Sequence, residues 1–319
     1  MHDAEEFPGL SRRAVFQVTA LLLAGAVIPG CATEISEPEP DPLIAQRELA
    51  LRDARAAAAQ DFSDTEWAAA VADQRAAHAT ALDTEIRRLA RPSTDTAETE
   101  SGDGEPDGGA APVSTTELEA YLEDSSRSAR DAVSALIGYR AGLLSSVSAN
   151  CATYFALATE QSPPAASVPD ALAIAGDPGL DSLRTALERE HAAVFSYGVV
   201  AAFSLSERRE FTAAGAEEHR ARRDAVSGLL ARAGGEIPLA APAYELPVNV
   251  DSPVTAAELA VFAEQECAAA WRAVTERADN GDLREFSVGA LTECALRTAR
   301  WRGVLGAAPI PDPFPGELV

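Results

Sequence analysis

The sequence predicts an all-α protein, two four-helix bundles in tandem, on three observations. Beyond residue 42, apolar side chains recur at three- and four-residue spacing almost throughout, and no segment sustains the alternation of a strand. Each half joins its first helix tightly to its second and its third to its fourth, with one long stretch in the middle, 91–114 or 234–253. The halves also repeat one another. Glu117, Leu118, Tyr121, Glu123, Ala129, Ala132 and Val133 match Glu258, Leu259, Phe262, Glu264, Ala270, Ala273 and Val274 at one constant offset, which also pairs His78 with His219. In the fourth helices Gly142, Leu144, Ala152 and Tyr154 match Gly289, Leu291, Ala299 and Trp301.

In chain order, residues 1–31 read as a processing segment rather than part of the fold. Arg12-Arg13 precede an apolar run, Val15 to Gly30, that ends in Val27-Ile28-Pro29-Gly30-Cys31. The segment resembles a twin-arginine export signal joined to a lipoprotein box. That resemblance implies a lipid on Cys31 and a folded body held outside the cytoplasm on the cell membrane. An uncleaved anchor or ordinary secretion also places the folded part outside the cytoplasm. Residues 32–42 form an acidic, Pro-rich tether. Helices are expected at 42–60, 64–90, 115–137 and 140–160, making a first bundle over 43–160. Within it the acidic loop 91–113, with no large apolar residue between Thr94 and Gly109, reads as disordered. After a linker, 161–176, helices at 178–204, 207–233, 254–278 and 282–306 make a second bundle over 177–308, followed by a tail, 309–319. Asp64 and Thr115 are the expected N-caps, and Thr255 with Glu258 has the pattern of a capping box.

The formal charge is −24, and every basic side chain except histidine is arginine, since the chain contains no lysine. This balance argues against nucleic acid, which is bound through basic patches. It also disfavours broad contact with anionic headgroups, leaving the acyl chains as the membrane attachment. An unidentified protein and a second copy of the chain are the remaining candidate partners. No phosphate-binding loop, dinucleotide fingerprint, nucleophile elbow or zinc-type Cys/His cluster occurs.

The second bundle carries one inward polar group per helix. Glu190 lies on the stripe Leu183, Leu187, Val194 and Ala201. His219 lies on Gly215, Val226 and Leu230, Glu266 on Leu259, Phe262 and Ala273, and Glu293 stands in the fourth helix. A small rotation of the first of these helices would bring His191 inward instead. The segments Leu187–Gly198, Glu218–Asp224, Ala241–Pro247 and Trp301-Arg302-Gly303 resemble ferritin-like four-helix domains of unknown function in exported bacterial proteins. The resemblance covers residues 177–308 directly and 43–160 through the repeat, which makes the expected fold a tandem of ferritin-like bundles, the second better preserved.

Such domains hold two irons with a Glu from each of two helices and a Glu-x-x-His from each of the other two. Here Ala216 and Leu296 stand where the second carboxylate–histidine partners belong. Two readings follow. The leading one is a buried polar network, with Glu190, His219 and Glu266 paired by Arg222, Arg223 or Arg297, in a non-enzymatic binding or structural protein without a cofactor. The other is a single iron or manganese ion on Glu190, His219, Glu266 and Glu293, with redox activity. In the first bundle Ala54, Ser125 and Ser146 replace the carboxylates and His78 alone remains, so that half is expected to be metal-free. Cys267 and Cys294 share one level of the last hairpin, as a disulfide, two buried thiols or thiolate ligands. With Cys151 they leave an odd thiol count once Cys31 is assigned to lipid.

Overall fold

The structure, a computed structural model, describes residues 40–59, 65–89, 113–163, 166–168 and 172–317. The signal segment with Cys31, most of the tether and nearly all of the acidic loop lie outside these residues. The described residues form eight α-helices and no strand. They are α1 (Pro42–Ala58), α2 (Thr65–Leu89), α3 (Thr115–Val133) and α4 (Tyr139–Thr159), then α5 (Leu180–Phe203), α6 (Arg209–Arg232), α7 (Pro253–Arg277) and α8 (Gly281–Val304).

Two expected caps are displaced. The box at α3 belongs to Ser114, whose Oγ accepts from Glu117 N while Glu117 Oε2 accepts from Ser114 N. At α7 the box is Ser252 with Thr255, and Pro253 follows at N1. Proline suits that place because its missing N–H has no helical partner there. Helix α3 also stops at Val133, earlier than expected. The chain turns through Ser134–Gly138, and Gly138 (φ +60°) provides the left-handed step into α4.

In the first half α1 packs on α2 and α3, and α4 packs on α3 and α2. In the second half α5 packs on α6 and α7, and α7 on α8. Side chains close that square between α6 and α8, through Arg297 on Glu218 and Phe211 against Trp301. The halves meet along α4 and α8, with α7 also against α4. Both joining helices are buried around their circumference, over Ala141–Cys151 and Phe286–Thr292, as a helix enclosed on every side must be. Ala149 of α4 and Ala290 of α8 enter one core there, and Val288 of α8 joins Leu143 and Leu144 of α4 in another. By length and composition α4 could cross a membrane, but 78% of its apolar window is buried inside the protein, as in a core helix.

The linker and crossover are docked rather than free. Leu172 and Ile174 enter the core of the second half. The crossover between α6 and α7 lies against α5, with Tyr244 on Phe195 and the Glu236 carbonyl accepting from Arg184. Residues 309–317 run along the seam between the halves, where Ile310 and Phe314 pack against the two cores of the first half.

Candidate functional site

The charged centre of the second half assembles from all four helices. Helix α5 buries Leu183, Ala186, Leu187, Ala193 and Val200, and this face carries Glu190 inward, fully buried. Helix α6 buries Gly215, Ala216, Val226 and Leu230, and brings His219 and Arg222 to the same level. These two are three residues apart, so they share one face. Helix α7 contributes Glu264, Cys267 and Trp271 from its buried face, and α8 contributes Glu293, Cys294, Arg297 and Trp301.

Arg222 occupies the middle. Its Nε donates to Glu190 Oε1 (2.8 Å) and its Nη1 to Glu293 Oε2 (2.6 Å). Its Nη2 lies 2.8 Å from His219 Nδ1. Glu190 Oε1 also accepts from Trp271 Nε1 (2.7 Å), and Glu190 Oε2 lies 2.7 Å from His219 Nδ1. His219 Nε2 stands 3.2 Å from Glu264 Oε1, which also accepts from the Tyr197 hydroxyl. Trp301 Nε1 donates to that hydroxyl (2.9 Å). Glu293 Oε1 accepts from Ala166 N (2.6 Å), tying the linker to the cluster. On the flank, Arg297 forks onto both oxygens of Glu218.

A carboxylate therefore faces each nitrogen of His219. Burial opposes the imidazolium, but Glu264 and Glu190 outweigh it and the pKa is raised, so both nitrogens donate. Arg222 Nη2 then abuts Nδ1 rather than bonding to it. Burial likewise opposes ionisation of Glu190, yet Arg222 and His219 hold its pKa down to about 2. Glu264 is depressed for the same reason, burial being outweighed first by His219. One oxygen, Glu264 Oε2, is buried without a partner.

The expected residues do not all meet. Glu190, His219 and Glu293 converge on Arg222. Glu266 does not: its side chain is 30% exposed and faces Arg189 at 3.4 Å. Its place is taken by Glu264, two residues earlier and fully buried. The stripe drawn through Phe262 lies on the outer face, since Phe262 is 42% exposed. The buried stripe runs Ala260, Glu264, Cys267, Trp271 and Val274 at alternating spacings of four and three, which is the signal that identifies Glu264. His191 turns to the crossover, its Nε2 3.2 Å from the Pro238 carbonyl. Cys267 and Cys294 are free buried thiols, bonded to each other through hydrogen and not sulfur to sulfur. Packed helix axes about 8–10 Å apart hold such a pair beyond good disulfide geometry. The mutual hydrogen bond and burial raise the Cys267 pKa, and burial raises that of Cys294, so both stay protonated and inert.

The first half repeats the device with a carboxylate not expected there. Asp53, next to the matched Ala54, is fully buried and accepts from Arg75 Nε (3.0 Å) and Ser125 Oγ (2.6 Å). Arg75 Nη1 donates to His78 Nδ1 (3.0 Å). Each half thus sets an arginine and a histidine three apart on its second helix against an acid of its first helix. The order is reversed: Arg75 precedes His78, and Arg222 follows His219.

These donors do not fit a pair of irons. Both oxygens of Glu190 are engaged by cationic donors, and Ala216 lines a cavity of about 350 Å³ beside Tyr197 where a second carboxylate would be needed. A smaller grouping remains. Glu190, His219 and Cys267 each offer a ligand atom within 4.8 Å of the others, which could hold one ion. An ion there competes with Arg222 for Glu190.

None of the curated proteins matches the chain. A solved structure, that of a conserved hypothetical protein, rv2844, from Mycobacterium tuberculosis, is 42% identical over 40% of this chain and 97% of its own, at a TM-score of 0.40. Residues 182–318, the stretch that carries the arginine-centred cluster, match a family described as a domain of unknown function (DUF4439).

Proposed function

We propose that this is a ferritin-like protein of the cell envelope, lipidated at Cys31 and held outside the cytoplasm, that works as a binding or structural body without metal redox chemistry. One observation carries the reading: the Arg222 guanidinium stands where three of the expected ligand side chains converge, bonded to Glu190 and Glu293 and against His219. A fixed planar cation of this kind satisfies convergent carboxylates as an ion would, but it cannot change oxidation state or bind oxygen. The binding half of the reading draws support from the crossover, where Leu239 is 89% exposed and Ile237 37%. Apolar side chains left in water on a docked, Pro-stiffened segment mark a contact face.

Metal content and Fe(II) titration of residues 32–319, beside Glu190→Ala and His219→Ala, test this. The expected result is no stoichiometric iron in any form and a lowered melting temperature in both variants. Stoichiometric iron or manganese in the parent, lost in both variants, overturns it. The second reading rests on the 4.8 Å grouping of Glu190, His219 and Cys267; it predicts such binding, and predicts that Cys267→Ala abolishes it.

A further inference from the structure

Helices α5 and α6 part over a cavity of about 350 Å³ near the turn that joins them. Two contacts set their register: Thr212 Oγ1 donates to Ser204 Oγ (3.4 Å), and the Tyr197 ring lies against Gly215. From α6 the cavity is lined by Arg209, Thr212, Ala213, Ala216 and Arg220, which helical spacing puts on one face. From α5 come the fully buried Tyr197, then Gly198 and Ala201.

The lining is opposite in sign to the protein. The chain carries 50 acidic side chains against 26 basic ones, yet two arginines and no carboxylate face this cavity. Arg209 makes no ion pair among the described residues. It is also the first residue of α6, an end that no side chain caps and where the helix dipole favours an anion over a cation. Ser204, Ser206 and Thr212 add hydroxyls at that end. Arg220 stands eleven residues on, about 16 Å along the axis. It leans back over Ala216, since helical side chains tilt towards the N-terminus. Its partner is Glu217 at 3.4 Å, an exposed pair of little worth in water. Between the two cations the walls are alanine and Gly198.

Gly198 is a separate sign. It lies inside α5 without a positive φ, and a Cβ built on it would meet nothing within 4 Å. Gly215 on α6 is held to glycine by the Tyr197 ring, 2.5 Å from its Cβ position, but no contact holds Gly198. Glycine weakens a helix more than any residue except proline. What its missing side chain does here is keep the cavity open.

We propose that this cavity binds a linear dicarboxylate. One carboxylate meets Arg209 and the neighbouring hydroxyls, the other meets Arg220, and the methylene chain lies along the alanine walls and the Tyr197 ring. Guanidinium forks at opposite ends of an apolar trough match a ligand charged at both ends, and a monocarboxylate leaves one of them unanswered. The site lies apart from the crossover face and from Arg222, so metal titration and dicarboxylate titration succeed or fail separately.

Isothermal titration of suberate and sebacate into the full chain tests this, beside octanoate, which has one carboxylate, and inorganic phosphate. One-to-one binding of a dicarboxylate is expected, with octanoate weaker by at least about tenfold. Arg220→Gln should bring the dicarboxylate down to the octanoate level and leave octanoate unchanged. Gly198→Leu should fill the cavity and abolish binding without lowering the melting temperature. Failure of both dicarboxylates to saturate by about 10 mM overturns the proposal, as does octanoate or phosphate binding equally well. Binding that persists in Gly198→Leu puts the ligand elsewhere and rejects the cavity. Should that variant not fold, the response of the two ligand types to Arg220→Gln decides: equal losses for both reject the two-ended site.

Discussion

Arg222 decides the character of the second half, and its energetics follow from burial. Glu190 and His219 are fully enclosed, so removing the cation leaves Glu190 without its first compensating charge. Breaking a buried pair in this way costs about 3–5 kcal/mol. Arg222→Ala should therefore lower unfolding free energy by that order in denaturant titration. Arg222→Lys should recover little of the loss, because one ammonium cannot replace a fork that spans Glu190, Glu293 and His219. Full rescue by lysine would mean that charge alone matters there. Gly215→Ala probes the same core from another side. An added Cβ would lie 2.5 Å from the Tyr197 ring, which Glu264 and Trp301 hold in place, so a loss of about 1–3 kcal/mol is expected. At this scale the sequence was legible for Glu190 and His219, whose neighbours are leucine and valine on one side. It misled at Glu264 and Asp53. Alanine on every face of α7 gives no inward direction, so the lone Phe262 drew the stripe to the wrong side. At Asp53 the repeat was followed to Ala54, and one residue is about 100° of helix.

The helices themselves were legible because their ends and joints carry strong local signals: proline at N1, Asn280-Gly281 at the last turn, and long stretches where crossovers fall. The caps were less so, since Ser114 and Thr115 are adjacent and either hydroxyl suits the position. The structure distinguishes them. Ser114→Ala removes both the bond to Glu117 N and a partner of the Glu117 carboxylate, at about 1 kcal/mol. Thr115→Ala, one step inside α3, should change stability by less than about 0.5 kcal/mol. Equal losses from the two substitutions in thermal melts would reassign the cap. What no local pattern disclosed was that α4 and α8 face each other. Both read as helices of separate bundles, and a helix buried on every side has no single apolar stripe to show which neighbour it meets.

At the scale of the whole molecule, the C-terminal segment ties a backbone carbonyl of the second half's tail to a titratable ring of the first. His78 Nε2–H donates to Pro313 O while Nδ1 accepts from Arg75, so the ring is held neutral. Burial and the Arg75 charge push its pKa down to about 3, below the roughly 6.5 of an unfolded histidine. The unfolded chain therefore takes up a proton that the folded chain refuses. The contribution is fully present above about pH 6.5 and is lost as pH falls towards about 3, at roughly 1.4 kcal/mol per pH unit. His219 has the opposite sign. Its raised pKa favours the folded state below about 6.5 and withdraws that support as pH rises through the folded value. Stability measured against pH should thus lose one proton's slope on the acid side in His78→Gln, while keeping the decline that begins at higher pH. The reverse should hold for His219→Gln. An unchanged acid slope in His78→Gln would show that His78 takes up its proton as readily folded as unfolded, and that burial beside Arg75 does not hold it neutral.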